Sequence, residues 1–454
     1  MTVQQDDRAR ALRGLCGGAV CLPGDAAYDL ARTPWNLMLD DHPAAVAYPA
    51  GPQEVGEVVR AAAASGLSVA AQGTGHGAPP LAGRLGEAVL LRTSAMTEVR
   101  ISPETRTARV GAGVLWGDLA DAAGRHGLAA LHPTSPDVGV VGYSLGGGIG
   151  WYARRLGLQC NAVRAAEVVL ADGSVVRASA DDEPELFWAL RGSGAALGVV
   201  CALEFDLHPV ATVVAGTLVW DWTQLERVLP AWVAWCETAP REVTSSFRVL
   251  SVGEDEQMPA AMRGRRLVLV DGAVLGPDAL AAEVLAPLRA LAPEIDTVAR
   301  VPAASLVRLH LEPEGPTPAY ASSVLVDSLP DAAIGAVLDA VGPGSSSELS
   351  LVELRQLGGA LAERDPCGGA LDHLDGRFLA LGVGLDPDPA GWARQREDAR
   401  RFVDAVTPWS GRTYLPMVDE PSDTRKAFPP EVHARLGAVR RAVDPAGLFM
   451  PPHH

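Results

Sequence analysis

A short apolar run that ends in alternating glycines constrains the fold of this chain most strongly. The segment Val69-Ala-Ala-Gln-Gly-Thr-Gly-His-Gly77 places three glycines around one histidine, His76. Because glycine lacks a Cβ atom, the pattern predicts a strand followed by a loop whose backbone turns sharply and presses against a flat or phosphorylated ligand. In such a loop His76 is a candidate metal ligand, acid or base, or nucleophile. The alternative is a solvated side chain in an ordinary turn.

The hydrophobic pattern around this loop predicts a ligand-cradling βαβ unit. Residues 52–66 have apolar side chains at helical spacing, begin with proline and end at glycine, and a strand is predicted on each side. Further along, Asp172-Gly173 between two apolar runs predicts a β-hairpin. The predicted strands are 45–49, 68–71, 88–92, 98–101, 106–114, 165–171, 175–179 and 198–207, and the predicted helices are 52–66, 117–127 and 185–190.

A second glycine cluster lies at 133–151. Residues 139–148 are dominated by glycine, valine and serine, so a flat ligand could lie against them. The stretch 142–146 also matches G-x-S-x-G, which makes Ser144 the nucleophile of an alternative α/β-hydrolase, with Asp372 and His433 following in order. Such an elbow needs a helix directly after its serine. The glycines that follow each cost roughly 1 kcal/mol in a helix relative to alanine, which disfavours the hydrolase.

The pattern changes between about residues 210 and 411. Alanine-rich helices alternate with strands there, which predicts an α+β second domain with helices on one face of a sheet. Residues 412–454 return to the earlier style and include a predicted helix at 430–442. In the second domain the predicted strands are 212–219, 266–270 and 350–355, and the predicted helices are 223–238, 278–292, 330–341 and 390–406.

Composition excludes several classes of function. A net charge of −17 and a pI near 5.0 disfavour nucleic acid and anionic membranes as partners. Of 38 basic residues only Lys426 is a lysine, in a polar, proline-flanked segment, which disfavours Schiff-base and phosphate-loop chemistry. The six cysteines show no CxxC spacing and no Cys/His cluster, so we predict no metal site and no disulfide framework. The N-terminus is polar and no apolar run approaches about eighteen residues, so we expect no signal peptide, no membrane span and a cytoplasmic protein.

Six motifs together carry a family resemblance that covers nearly the whole chain. They are Gln72-Gly-Thr-Gly-His-Gly77 and the segments 135–151, 166–173, 185–192, 353–359 and 444–449. With these motifs the sequence resembles the FAD-binding flavoproteins of the vanillyl-alcohol oxidase and p-cresol methylhydroxylase type, and specifically the berberine bridge enzyme-like oxidases.

The resemblance implies an α+β fold with a two-part FAD-binding domain of the p-cresol methylhydroxylase type. Its parts would be residues 1–209 and 412–454, and they would enclose a substrate domain at 210–411 built on an antiparallel sheet. The isoalloxazine ring of the flavin would lie between the two domains. Oligomeric state stays open.

The same resemblance implies a covalently held FAD. His76 matches the family histidine that bonds to the flavin 8α carbon, and the attached imidazole would make the flavin a better hydride acceptor. Ser135 stands where many relatives have a second, cysteinyl link, so we predict a single tether. Gln72 stands where relatives usually carry arginine, and Cys160 is expected to have a packing role. The expected FAD contacts are His76, Gln72, Gly73, Thr74, Gly75, Gly77, Ser135, Val138, Gly139, Gly142, Tyr143, Gly147, Gly148, Gly150, Val200, Tyr414 and Pro416.

The catalytic residues are a separate expectation. Met417 replaces the last aromatic of the family's Tyr-x-Asn-Tyr run, which leaves Tyr414 as the tyrosine of that segment. Glu353 and Arg355 are two apart on a predicted strand and so face the same side. In relatives that side looks onto the flavin, which makes Glu353 a candidate general base and Arg355 its electrostatic partner or a substrate anchor. The alternative is a solvated ion pair.

The resemblance implies an FAD-dependent oxidoreductase of the kind found in secondary metabolism. A small-molecule or natural-product substrate would transfer hydride to the flavin, and dioxygen would reoxidise the flavin and form hydrogen peroxide. Whether the enzyme is an oxidase or a dehydrogenase stays open. Two alternatives are the serine hydrolase that uses Ser144 and a flavoprotein that catalyses a non-redox cyclisation.

Overall fold

The computed structural model describes residues 8–194, 196–254, 258–386 and 388–454, which form three β-sheets with helices packed against them. The expectation of no signal peptide concerned the N-terminus, of which residues 1–7 lie outside the described part. In the described ranges, no helix is both long enough and apolar enough to cross a bilayer.

The first two sheets are built from residues 20–206. The first sheet contains β1 (Val20–Cys21), β2 (Ala45–Ala47), β3 (Ser68–Gln72) and β4 (Ala88–Arg92). The second contains β5 (Val99–Ser102), β6 (Thr107–Gly111), β7 (Val163–Val169), β8 (Val175–Ser179) and β9 (Val199–Asp206). The helices of this part are α1 (Tyr28–Arg32), α2 (Pro52–Ala64), α3 (Trp116–Gly124), α4 (Val140–Gly146), α5 (Ala153–Leu156), α6 (Gln159–Ala162) and α7 (Pro184–Leu190).

The predicted βαβ unit is confirmed in the first sheet. Its strand order is β1-β2-β4-β3, and both β2 and β3 run parallel to β4. Helix α2 joins β2 to β3; it begins at Pro52, whose fixed φ angle suits a first helical position, and buries Val55, Val58 and Val59 against the sheet. The loop with His76 therefore leaves the carboxyl end of a parallel strand, an edge where ligands commonly bind.

The second sheet is antiparallel, with the order β5-β6-β9-β7-β8. Its β7–β8 hairpin is the one predicted at Asp172-Gly173. Gly173 has a φ of 78°, and the carboxylate of Asp172 accepts the N–H of Ser174 at 2.8 Å. The fully buried Trp116 and Phe205 lie in the core that this sheet shares with the first.

The third sheet begins after the second and lies within the predicted second domain. Its strands are β10 (Thr212–Asp221), β11 (Val243–Ser251), β12 (Arg266–Val274), β13 (Ile295–Asp296), β14 (Ala299–Pro302), β15 (Tyr320–Val326), β16 (Leu351–Gln356) and β17 (Phe378–Gly384). They pair antiparallel in the order β13-β10-β12-β11-β16-β17-β15, with β14 also beside β10. Its helices are α8 (Leu225–Thr238), α9 (Asp278–Arg289), α10 (Asp331–Val341) and α11 (Pro389–Val406).

The two faces of the third sheet differ in chemistry. One face packs on α8–α11 through large apolar side chains such as Trp232, Phe247 and Phe402. The opposite face is also buried, but it carries charged and hydroxyl side chains and looks toward the first two sheets. These polar side chains are Ser246, Arg248, Asp271, Glu353 and Arg355.

The sequence predicted three of the eight strands of this sheet. Strand β11, Val-Thr-Ser-Ser-Phe-Arg-Val-Leu-Ser, was missed because its buried polar face conceals the usual alternation of exposed and buried residues. Strand β17, Phe-Leu-Ala-Leu-Gly-Val-Gly, is buried on both faces and so lacks that alternation as well.

The end of the chain pairs with the first sheet. The N–H of Val69 on β3 donates to the carbonyl of Leu448 at 2.9 Å, and the carbonyl of Val69 accepts the N–H of Met450 at 3.0 Å. The last helix, α12 (Pro430–Val443), forms an ion pair with α7 through Arg435 and Glu185. The change from the second sheet to the third falls between Asp206 and Thr212. The boundaries at 209/210 and 411/412 themselves stay predictions.

Candidate functional site

In the loop after β3, the backbone requires glycine at position 75, whereas the space beside Gly77 is open. Gly75 has a φ of 97°, and a Cβ atom there would lie 2.6 Å from the Cβ of Pro34. At Gly77, apart from its chain neighbours, no atom of the described residues lies within 4 Å of the corresponding position. Gly73 is partly exposed, and its Cβ position would be 3.6 Å from Oγ1 of Thr93. The backbone of this loop is therefore open to a ligand near Gly77.

Three side chains hold the imidazole of His76. The ring stacks on the indole of Trp35, with centroids 4.1 Å apart and planes inclined by 22°. Its Nδ1 lies 2.8 Å from Oγ1 of Thr74, and its Nε2 lies 3.5 Å from Oδ1 of Asp137. The side chain keeps 23% of its surface exposed, so its direction is restrained while part of the ring stays reachable.

Asp137 is a functional residue that the sequence reasoning missed. Its carboxylate accepts hydrogen bonds from Nε1 of Trp35 at 2.6 Å, Oγ of Ser135 at 2.8 Å and the backbone N–H of Gly315 at 2.8 Å. Burial alone would raise the pKa of Asp137, but these donors and His76 hold it well below its usual range. The available signal was a carboxylate two residues after Ser135 in a glycine-rich segment.

The second glycine segment lies against the first. A Cβ atom on Gly139 would be 3.8 Å from Cγ2 of Thr74. On Gly142, no atom of the described residues outside its own helix lies within 4 Å of that position. Val138 and Gly139 are partly exposed and Gly142 is exposed. Residues 72–77 and 137–142 thus line one open surface, which we call the cradle.

At the next three glycines, Gly147, Gly148 and Gly150, other protein atoms lie where a side chain would begin. A Cβ atom on Gly147 would lie 3.0 Å from the hydroxyl of Tyr414, and one on Gly148 would lie 2.6 Å from the ring of Tyr143. On Gly150 it would lie 2.0 Å from a backbone oxygen. The structure therefore gives these three glycines a packing role. Their contact with a flat ligand stays a prediction.

Ser144 does not lie in a nucleophile elbow. It sits inside α4, which follows a loop, whereas an elbow places its serine at a turn between a strand and a helix. Its side chain is fully buried, and its hydroxyl has no hydrogen-bond partner among the described residues. Asp372, the predicted acid, pairs with Nδ1 of His373 at 2.5 Å. The hydrolase interpretation was therefore wrong.

The tyrosines predicted near the cofactor differ in their environments. Tyr143 is partly exposed, yet its hydroxyl is buried and unpartnered among the described residues, and burial raises its pKa well above the usual value. Tyr414 is buried and accepts the N–H of Gly148 at 2.9 Å, and burial raises its pKa too. This bond holds the glycine segment, so a direct catalytic role for Tyr414 stays a prediction. Pro416 is exposed beside α4, and Val200 is buried within β9.

Two further residues singled out in the sequence have ordinary partners. Oε1 of Gln72 accepts a hydrogen bond from Arg92 on the neighbouring strand, and the same guanidinium donates to the carbonyl of Thr33 at 3.0 Å. Cys160 is buried with its Sγ 3.5 Å from the carbonyl oxygen of Leu371, and burial raises its pKa to about 12. A thiol with so high a pKa is a poor nucleophile, which agrees with the predicted packing role.

Glu353 and Arg355 lie on the same side of β16, as predicted, and form a buried ion pair. Nε of Arg355 is 2.7 Å from Oε1 of Glu353, which also accepts Oγ–H of Ser246 at 2.6 Å. Arg355 reaches the first domain by donating to the carbonyl of Ile149 at 3.3 Å. Burial alone would raise the pKa of Glu353, but Arg355, with help from His310, lowers it from 4.5 to about 2. Both oxygens of Glu353 are engaged, by Arg355 and Ser246, and its side chain is only 2% exposed, so this geometry argues against the general-base role predicted for Glu353 and assigns it to fixing Arg355.

A second carboxylate, Glu312, is better placed to face a substrate. Its side chain keeps 32% of its surface exposed, although the neighbouring His310 is fully buried. Its Oε1 accepts Oγ–H of Thr134 at 2.6 Å and lies 3.2 Å from Nδ1 of His310. Burial would raise the pKa of Glu312, but His310 and Thr134 lower it below its usual range, so the carboxylate is ionised. Gly315, three residues after Glu312, donates its N–H to Asp137 of the cradle, so Glu312 stands at the edge of the cradle.

Buried charges behind Glu312 hold it in place. Nε2 of His310 lies 3.5 Å from Oδ2 of Asp271, which accepts Nε–H of Arg248 at 2.5 Å. The rings of Trp151 and His310 meet edge to face, with centroids 4.8 Å apart. The sequence offered a weak signal for these residues, because His310-Leu-Glu312 lies in a proline-rich stretch that predicted neither helix nor strand.

The two groups of residues define the chemistry of the site. A glycine-lined cradle with one reachable imidazole lies beside an ionised carboxylate, Glu312, and the residues described include no cluster of potential metal ligands. Exposed or partly exposed backbone at Gly77, Gly139 and Gly142 suits a long, polar, phosphorylated cofactor. The fold and site are those of a flavin-dependent oxidoreductase.

Comparisons with known proteins identify an FAD-binding domain and similar oxidases. Residues 43–179 match the FAD-binding domain family. Over 95% of each chain, the sequence is 29% identical to (R)-6-hydroxynicotine oxidase of Paenarthrobacter nicotinovorans. It is 33% identical to xylooligosaccharide oxidase of Thermothelomyces thermophilus, in a match that spans 52% of this chain and 49% of the relative.

Solved structures share the complete architecture. The structure of 6-hydroxy-D-nicotine oxidase from Arthrobacter nicotinovorans superposes with a TM-score of 0.82 at 26% identity, covering 95% of this chain and 96% of that one. Physcomitrella patens BBE-like 1 superposes with a TM-score of 0.84 over 100% of this chain and 98% of its own, at 23% identity, and shows the shared fold. The chain contains an FAD-binding domain and is an FAD-dependent oxidoreductase, similar in sequence and fold to these FAD-linked oxidases. The comparisons do not support the hydrolase or the non-redox cyclase.

Proposed function

We propose that this protein is an oxidase that holds its FAD covalently through His76 alone and oxidises a small polar molecule at a carbon bearing an amine or a hydroxyl group. The observation that carries the proposal is the His76 imidazole, restrained by Trp35 and Asp137 on an open glycine loop with 23% of its side chain exposed. Acremonium strictum glucooligosaccharide oxidase, whose fold is similar, has a 6-S-cysteinyl, 8α-N1-histidyl FAD. Ser135 has no thiol and donates its hydroxyl to Asp137, so a second link through residue 135 is not expected here.

The chain's own residues would hold the cofactor through exposed backbone. Residues 72–77 and 137–142 offer peptide N–H groups with little side-chain bulk, which suits phosphate oxygens. When bound, FAD supplies the hydride acceptor and passes the electrons on to dioxygen. Tyr414 keeps the glycine segment in place through the N–H of Gly148, and Arg355 ties the third sheet to the same segment through Ile149.

Glu312 would handle the substrate proton. Its Oε1 is engaged by Thr134 and His310, which leaves Oε2 without a donor among the described residues. Held ionised beside the cradle, Oε2 can accept a proton from a substrate hydroxyl or ammonium group, or bind a substrate cation. Relatives named for a hydroxynicotine and for oligosaccharides indicate how widely substrates vary on this fold, so both amine and alcohol substrates belong in the test.

Acid precipitation tests the tether directly. We expect the purified protein to be yellow and its colour to stay in the acid pellet, because a covalent link survives unfolding. In His76→Ala the flavin should move to the supernatant, whereas His126→Ala, which changes an exposed histidine of the same domain, should keep it in the pellet. Covalent flavin in His76→Ala would show that another residue is the anchor.

Oxygen uptake tests the reaction. We expect an oxygen electrode to detect uptake, with an equal amount of hydrogen peroxide, for at least one compound in a panel of aromatic amines, sugars and alkaloids. Substrate bleaching of the flavin under anaerobic conditions, without oxygen uptake in air, would instead indicate a dehydrogenase.

A further inference from the structure

Asp137 is arranged as an acceptor with one position left for His76. An ionised carboxylate has about four hydrogen-bond acceptor sites. Three of them are taken by Nε1–H of Trp35, Oγ–H of Ser135 and N–H of Gly315, at 2.6, 2.8 and 2.8 Å. The fourth faces Nε2 of His76 at 3.5 Å, and that nitrogen is buried with no other partner among the described residues.

This arrangement selects one tautomer of the imidazole. A carboxylate can only accept, so Asp137 favours a proton on Nε2 of His76. The hydroxyl of Thr74, 2.8 Å from Nδ1, can donate to that nitrogen, which then carries the lone pair. The indole of Trp35 stacks on the imidazole and also donates a hydrogen bond to the carboxylate of Asp137. Trp35 therefore fixes the plane of the imidazole ring and the position of the carboxylate charge together.

We propose that Asp137 is the positioning residue for covalent attachment of the flavin: it holds His76 with Nε2 protonated, so that Nδ1 is the nucleophile, and it compensates the positive charge that develops on the ring. The inference rests on the proposed tether at His76. In the step a bond forms between Nδ1 and the 8α carbon of the flavin, one C–H bond of the methyl group breaks, and its proton is lost. Two electrons enter the flavin ring system and pass to dioxygen. Nε2 then loses its proton on the side that faces Asp137. One molecule of hydrogen peroxide forms for each covalent bond between His76 and the flavin.

The physical reason is the same as for an aspartate behind a catalytic histidine. Attack through Nδ1 while Nε2 keeps its proton turns a neutral imidazole into a cation. Outside water that cation is costly unless an anion lies beside it. Asp137 is such an anion, since the four groups around its carboxylate hold its pKa well below the usual range.

The test uses the full-length protein made without flavin in riboflavin-limited cells and then mixed with FAD in air. Total bound FAD is measured after gel filtration, covalent FAD is measured in the acid pellet over time, and thermal melting reports folding. Asp137→Asn keeps the shape of the side chain and removes its charge. Asp118→Asn makes the same change on an exposed aspartate of α3 and serves as the matched control.

We expect Asp137→Asn to bind FAD in the normal ratio and to melt near the wild type, while the rate of covalent attachment falls at least about tenfold. A purely structural role would instead lower total and covalent FAD together. Attachment at the wild-type rate in Asp137→Asn would overturn the inference, as would a folded variant that binds no FAD. Covalent attachment in His76→Ala, or its absence in the wild type, would instead refute the proposed tether.

Discussion

The ion pair between Glu353 and Arg355 should contribute strongly to the stability of the second domain. The side chains of the two residues are 2% and 6% exposed, and they meet through two contacts, at 2.7 and 3.2 Å. Replacing Arg355 by methionine keeps most of the side-chain length and leaves Glu353 charged and buried without its partner. Breaking a buried pair from one side typically costs ~3–5 kcal/mol.

The pKa of Glu353 gives a second estimate of the same quantity. Its fall from 4.5 to about 2 on folding corresponds to about 3 kcal/mol of stability at neutral pH. Because the pKa is lowered, this contribution is complete above pH 4.5 and is lost as the pH falls toward about 2. The difference in stability between the wild type and Arg355→Met should therefore narrow across that acidic range.

Urea unfolding at pH 7, followed by tryptophan fluorescence, measures the effect on the flavin-loaded protein. We expect Arg355→Met to lose ~3–5 kcal/mol, and a double variant with Glu353→Leu to recover much of that loss, since an apolar replacement removes both buried charges. A loss below about 1 kcal/mol in the free energy of unfolding of Arg355→Met would refute the assignment of the pair as a buried, coupled unit. Strictly additive losses from the two substitutions in the double variant would refute it as well.

Other substitutions separate the remaining roles. Glu312→Gln should lower kcat by about 100-fold or more in steady-state oxygen uptake while covalent flavin is unchanged, because the proton acceptor is lost; a rate near the wild type would assign proton transfer elsewhere. Tyr414→Phe should cost ~1–3 kcal/mol in unfolding experiments, since the buried N–H of Gly148 loses its acceptor; an unchanged midpoint would contradict this. Cys160→Ala should leave the flavin in the acid pellet, and its release would reveal a tether at this thiol. Gly75→Ala should reduce flavin content, because its φ of 97° and its close contact with the neighbouring segment exclude a methyl group; full loading would show that the loop adapts.

Local patterns in the sequence were sufficient for much of the first domain. The βαβ unit, the hairpin at Asp172-Gly173 and the helix at 52–64 follow from apolar spacing and turn residues, which act over a few positions of the chain. The local sequence also predicted the loop of His76, because its glycines are needed where the backbone turns. Family resemblance then indicated the cofactor, which the comparisons support.

Tertiary structure decided which charges meet at the site. Glu353 was a reasonable base when only its strand and its spacing from Arg355 were known. Folding buried both residues, and the resulting ion pair lowered the pKa of the carboxylate. Asp137 and Glu312 acquire their positions from partners far away in sequence, so local spacing could not reveal them.

Amino-acid order alone therefore determined the glycine path of the cradle, the presence of an imidazole at position 76 and the lack of a thiol at position 135, since these depend on residue type at single positions. The environment of that imidazole was decided only in three dimensions. Trp35, His76 and Gly315 come from three separate parts of the chain and converge on the carboxylate of Asp137. Hydrogen bonding and burial act over a few ångströms in space, and no periodicity along the chain records which distant residues will come that close.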